Sequence, residues 1–170
     1  MNPETILRRY RLVLGFFIAG LVLSGVTAFP LLHELELLGR ILGVPADATP
    51  SSLTGLQLWI ATVRDGLRAT YASYPWLAYG TDWLAFGHIT IALFFIGPWR
   101  EPVTNGWVLK VGLIACAGVL PLALICGPIR EIPLYWRLID CSFGIFGCLP
   151  LLYCLRLTAT LRGLDSSTGA

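Results

Sequence analysis

Residues 12–32 contain no Asp, Glu, Lys or Arg. As a helix rising 1.5 Å per residue, such a run measures about 31 Å, the thickness of the hydrocarbon layer of a bilayer. Arg8, Arg9 and Arg11 stand before it, and His33 and Glu34 after it. Residues 83–99 also lack a full charge and hold one histidine, His88. Residues 111–129 lie uncharged between Lys110 and Arg130. A shorter run, 141–155, becomes a full span if residues 134–140 form its first turns.

These runs are possible because only 13% of the chain is charged, with a mean hydropathy of +0.73. Soluble domains carry about a quarter charged residues. The composition excludes a disordered tail, a nucleic-acid binder and an ordinary cytosolic enzyme. It predicts an all-α, polytopic membrane protein with one membrane domain over residues 1–170. Spans are expected at about 12–32, 82–99, 107–127 and 134–157, forming a four-transmembrane-helix bundle. A cap segment at about 33–80 joins the first two, and a short polar tail follows at 158–170.

The start of the chain has a second reading. Three arginines, an apolar run and Val26-Thr27-Ala28 also suit a cleaved signal peptide. The run is longer than the usual apolar core of such a peptide, and Pro30 sits just past the cut. The mature amino terminus distinguishes an anchor from a leader.

Between the first two spans, Leu53, Leu56, Ile60, Val63, Leu67, Tyr71 and Tyr74 recur at steps of three and four. Thr54, Gln57, Arg64, Asp65 and Arg68 occupy the other side. This is the pattern of an amphipathic helix of about 20 residues, with Ser51 or Ser52 after Pro50 available to cap it. Trp59, Tyr71, Tyr74, Trp76 and Tyr79 supply aromatic rings suited to the headgroup level. A shorter amphipathic piece, Leu31-Leu35-Leu38-Leu42, follows Pro30. Together they predict a cap over the outer mouth of the bundle.

Four spans put both termini on one side. With the amino terminus inside, the inner face holds seven basic residues: Arg8, Arg9, Arg11, Arg100, Lys110, Arg156 and Arg162. Against them stand Glu4, Glu101 and Asp165. The outer face holds five, Arg40, Arg64, Arg68, Arg130 and Arg137, with Glu34, Glu36, Asp47, Asp65, Asp82, Glu131 and Asp140. The basic excess favours cytoplasmic termini and an extracytoplasmic cap, in a multi-pass protein of the cytoplasmic (inner) membrane.

Gly97-Pro98 and Gly127-Pro128 each open a turn closed by a later proline, Pro102 or Pro133. Glycine ends a helix, and proline prevents its continuation. Pro121 and Pro150 fall inside spans and are expected to disturb them. Lipid provides no hydrophobic drive for helix association, so close packing rests on small residues. Gly15 with Ala19, Gly20 with Ser24, Gly112 with Cys116, Ala123 with Gly127, and Gly144 with Cys148 have that spacing. The five cysteines, Cys116, Cys126, Cys141, Cys148 and Cys154, all fall in spans without a CxxC pair, and read as small packing residues.

No HExxH, Gly-rich phosphate loop or GxSxG is present, and neither a metal site nor nucleotide-driven work is expected. Ionisable groups at membrane depth are functional candidates. His33 and His88 could act as axial ligands to haem b, or as one ligand plus a proton carrier. A two-haem arrangement needs four histidines, and the chain has two. Asp82, His88, Arg137 and Asp140 are candidate catalytic residues if they converge in an outer-leaflet chamber, with His33 and Glu34 nearby. Arginine would hold an anion, while the histidine and acids would move protons on a lipid, isoprenoid or quinone. The alternative is structural: Asp82 capping the second span, Arg137 pairing with Asp140, and the histidines in ordinary hydrogen bonds or headgroups.

Three functions follow. The first is an accessory or assembly subunit of a larger membrane complex, with membrane lipids and a protein partner or second copy as neighbours. The second is a membrane-embedded enzyme acting on a lipid or isoprenoid. The third is a haem- or quinone-binding redox protein.

Overall fold

A computed structural model of the chain describes residues 2–45, 48 and 52–168, the last four by backbone alone. Among these residues the structure is helical, without a strand. In chain order the helices are α1 (Pro3–Ala28), α2 (Leu31–Ile41), α3 (Gly55–Ser73), α4 (Tyr79–Phe94), α5 (Ile96–Arg100), α6 (Gly106–Pro121), α7 (Gly127–Ile129) and α8 (Leu134–Thr168). A 3₁₀ turn, Pro75–Ala78, leads into α4, and a π-helical turn, Leu122–Cys126, joins α6 to α7.

Four segments are long and apolar enough to cross a bilayer: Pro3–Ala28, Pro75–Arg100, Gly106–Ile129 and Leu134–Leu164. Their outward side chains are large and apolar. Phe16 is 81% exposed, Ile114 72% and Phe143 69%. Surface of that extent and chemistry needs lipid as its solvent. The chain is therefore a multi-pass helical membrane protein.

The spans start and stop where local chemistry dictates, and this moves several expected boundaries. The first begins at Pro3, well before the charge-free run, because Asn2 and Pro3 form a helix start. The Asn2 side-chain oxygen accepts a hydrogen bond from the Glu4 N–H at 3.1 Å, and proline suits the first helical position. It ends at Ala28, short of residue 32, ahead of Pro30. The second begins seven residues earlier than residue 82, at Pro75. Residues 158–168, expected as a polar tail, continue α8, since nothing after Thr158 breaks the helix. In the third, the helical repeat widens to π between Pro121 and Pro128, where missing N–H groups interrupt the ladder. Pro150 lies inside α8, helical on both sides.

The chain forms two compact units, one of Met1–Gly20 and Ile91–Ala170, the other of Leu21–Thr90. In the first, α6 packs along α8. The approach is closest at Gly144, where a Cβ would lie 2.5 Å from the Cys116 carbonyl oxygen. A Cβ at Gly147 would meet the Cys116 Sγ at 2.9 Å. Gly112 makes room for the Phe95 ring and Leu151, and Phe95 stacks edge-on against Phe17 at 5.0 Å. Ile6, Tyr10 and Leu14 of α1 are fully buried with Leu109, Leu151 and Cys154.

The turn after α7 closes with a six-to-one hydrogen bond, Ile132 N–H to the Gly127 carbonyl at 3.0 Å. Glu131 takes the left-handed position there, at φ 58°, which glycine usually fills.

In the second unit, α2 and α3 form a helical hairpin. Leu35, Gly39, Val44, Ile60 and Ala61 are buried. Two polar ties hold the connection: Gln57 Nε2 donates to the Leu42 carbonyl at 2.8 Å, and Arg64 to the Pro45 carbonyl at 3.2 Å. Arg64 is 3% exposed and pairs through Nε with the Asp65 carboxylate at 2.8 Å. The α3 cap position is Thr54, without a side-chain capping bond, so the helix starts later than Leu53. Ser51, Pro50 and Asp47 lie outside the described residues. The carboxyl-terminal part of α1 crosses α4 at Gly25, where a Cβ would come within 2.9 Å of the Ala85 carbonyl oxygen.

Candidate functional site

His88 stands at that crossing, its Cβ facing Gly25. Its Nδ1 lies 2.8 Å from the Leu84 carbonyl oxygen, one turn back on α4. A carbonyl only accepts, so Nδ1 donates this bond, and Nε2 is left for another partner. The ring is half-buried. Ala85 and Ala92, about one turn to either side of it on α4, are buried, and the absence of a side chain at Gly25 on the facing helix permits the close approach at this level.

Asp82 lies in the first turn of α4 and does not cap it, because the helix already begins at Tyr79. A carboxylate there still complements the positive end of the helix dipole. Asp82 lines a pocket of about 310 Å³ with Phe29, Tyr79, Trp83 and Phe86. Tyr79, Trp83 and Phe86 form an edge-to-face series along one face of α4, with centroids 5.9 and 5.8 Å apart. His88 is six residues from Asp82, about 9 Å along the helix and roughly 120° around it, and does not line this pocket. His33 is exposed in the first turn of α2. Among the described residues no hydrogen bond joins the two histidines, and no three His, Cys, Asp or Glu side chains converge as a metal site. Glu34 is half-buried beside His33.

Arg137 and Asp140 belong to the other unit, on the first two turns of α8. The expected pair between them does not form among the described residues. Arg137 instead turns its stem onto Gly127, which has no side chain to exclude it. Its Nε is buried there without a hydrogen-bond partner. Of the expected site residues, then, Asp82, His88 and His33 fall in one unit and Arg137 and Asp140 in the other.

Sequence spacing missed three features. Gly25 and Gly147 sit at close approaches but belong to none of the predicted small-residue pairs. Arg64 reads as a solvent-facing charge by helical periodicity, yet it is buried, because the chain after α2 folds back over it. All five cysteines are free thiols.

The class of the protein is therefore a multi-pass, all-helical membrane protein with four candidate spans. No protein-family model, curated protein or solved structure matches the chain.

Proposed function

We propose that the chain is an accessory or assembly subunit of a larger membrane complex. The observation that carries this reading is the α2–α3 hairpin. Its interior is closed by apolar packing and by the Gln57 and Arg64 ties, so it is organised before any partner arrives. Its outer side nevertheless exposes Leu37 and Ile41, one turn apart on α2, at 53% and 72%. A rigid helix pair with an unspent apolar stripe is suited to bind a partner. In this reading the hairpin caps the extracytoplasmic side of a four-helix bundle in the inner membrane, and both termini are cytoplasmic.

Mild-detergent purification of the full chain from its native membrane tests it. A larger protein should copurify with the unmodified chain and be lost from a Leu37→Glu/Ile41→Glu variant that retains its helical content. A monodisperse chain without a partner in both preparations would overturn the proposal.

The His88 geometry supports a second reading, a haem b- or quinone-linked redox protein. A backbone carbonyl on Nδ1 is the usual way a ligating histidine is held with Nε2 outward. Expression with haem supplied should then give a Soret band that His88→Ala removes and His33→Ala weakens. Absence of the band from the unmodified chain excludes the haem form. A third reading, lipid or isoprenoid chemistry by Asp82, His88, Arg137 and Asp140, requires Nε2 of His88 to serve as a general base. Turnover of an outer-leaflet lipid that survives His88→Ala would eliminate it.

A further inference from the structure

Two depressions meet on α6, both within the unit that holds α8. The first, about 340 Å³, opens at the start of the helix, between Val103, Thr104 and Lys110 on one side and Thr158 and Arg162 of α8 on the other. The second is an apolar groove of about 540 Å³ running further along α6, past Val108, Val111 and Ala115, with Phe94 and Phe95 as its opposite wall. Trp107 lines both and is 63% exposed.

The first depression is positive in three ways. Lys110 and Arg162 both line it, and neither forms an ion pair among the described side chains. Arg162 is positioned by donating to the Val103 carbonyl at 3.3 Å. The amino-terminal end of the 16-residue α6 opens onto the same space, and Asn105 at its cap position makes no side-chain capping bond. No acidic residue lines the pocket. Glu101 is exposed before α6, and Asp165 follows Arg162 by one turn in the sequence.

From this juxtaposition we propose that the surface binds one anionic phospholipid of the bilayer. Its phosphodiester lies between Lys110, Arg162 and the α6 amino terminus, and an acyl chain runs in the groove beneath Trp107. The order of the two depressions along α6 is that of the lipid. The charged pocket is at the helix end, where the headgroups lie, and the apolar groove is deeper in the span. Tryptophan at their junction is at the depth where its indole is favoured. A basic pocket between spans is a recognised arrangement for an anionic headgroup, with each cation contributing about fivefold in binding. The proposal does not depend on the accessory-subunit reading, since it uses neither the hairpin nor a protein partner.

The test uses the full chain reconstituted in vesicles of equal parts phosphatidylglycerol and phosphatidylcholine with matched acyl chains. It is then extracted in mild detergent, and retained lipid is measured by native mass spectrometry. Phosphatidylglycerol should be retained over phosphatidylcholine by roughly tenfold or more, as two cations imply. Lys110→Gln/Arg162→Gln should bring the two lipids to parity. Ala115→Phe, which fills the groove at an exposed position and leaves both charges, should lower retention of both lipids. Equal retention by the unmodified chain overturns the proposal without recourse to any variant. So does a preference that survives the double substitution. Unchanged retention in Ala115→Phe, with the charge variant reduced, would mean that a phosphate group alone is held and would overturn the lipid assignment.

Discussion

A methyl group at position 144 would sit 2.5 Å from the Cys116 carbonyl oxygen, a separation that real Cβ atoms do not show. The obstacle is backbone, so neither side can rotate away, and α6 and α8 must separate. Gly144→Ala should therefore cost about 1–3 kcal/mol, as overpacking does in a close-packed interior. Gly118→Ala is the matched control: it adds the same methyl to the same interface's α6, where nothing lies within 4 Å. Thermal unfolding of both variants in one detergent measures the difference. A fall in the midpoint for Gly118→Ala equal to that for Gly144→Ala would show that the close approach is not responsible. Gly144 was legible from its spacing to Cys148. Gly25 and Gly147 were not, since each is defined by the atom it faces on another helix. Gly20 has the same sequence credentials as Gly144 and nothing within 4 Å.

Among the elements, the α2–α3 hairpin holds the polar chemistry most open to solution conditions. Glu36 accepts a hydrogen bond from Arg68 at 2.8 Å, which holds its carboxyl below the usual value of 4.5. A carboxylate with a lowered folded-state pKa contributes stability that is fully present above the unfolded value. That contribution is lost as the pH falls through the lowered one. Acidification below pH 4.5 should thus lower the amide protection factors (exchange relative to the intrinsic rate at each pH) in α2 and α3, and Glu36→Gln should flatten that dependence. The pair is solvent-exposed, so the effect is small and salt-sensitive. Equal pH dependence in Glu36→Gln would assign the change to another group. The hairpin was legible as two amphipathic stretches because periodicity is a local property. Their pairing was not, and neither was the burial of Arg64. Helical phase placed that guanidinium on the polar side, and only the chain path after α2 brings the Pro45 carbonyl onto it.

For the molecule as a whole, the even number of spans and the basic residues predict both termini on the cytoplasmic side. Reporter fusions after Arg100 and at the carboxyl terminus should be active only with a cytoplasmic reporter, and a fusion after Asp65 only with an extracytoplasmic one. The opposite set would invert the hairpin to the inner face. Edman sequencing of the membrane-bound product separately distinguishes an anchored Pro3–Ala28 from a cleaved leader. Within α8, the buried Arg137 Nε shows why candidate charges were harder to place than spans. Spacing along one helix allowed a bond to Asp140, but the free space at Gly127 drew the side chain elsewhere.

What the amino-acid sequence determined by itself is the solvent and the number of segments able to cross it. Long runs without charge can be buried only in hydrocarbon, and within hydrocarbon a backbone must bond to itself as helix. Helix starts at Asn2-Pro3 and stops near Pro30 are local in the same way. Which side chains meet was decided by the tertiary structure alone. The turn of Arg137 onto Gly127, the crossing of α1 and α4 beside His88, and the shared position of Lys110 and Arg162 each join residues far apart in helical phase or along the chain. Their chemistry depends on distances of a few ångströms, which no one-dimensional pattern encodes.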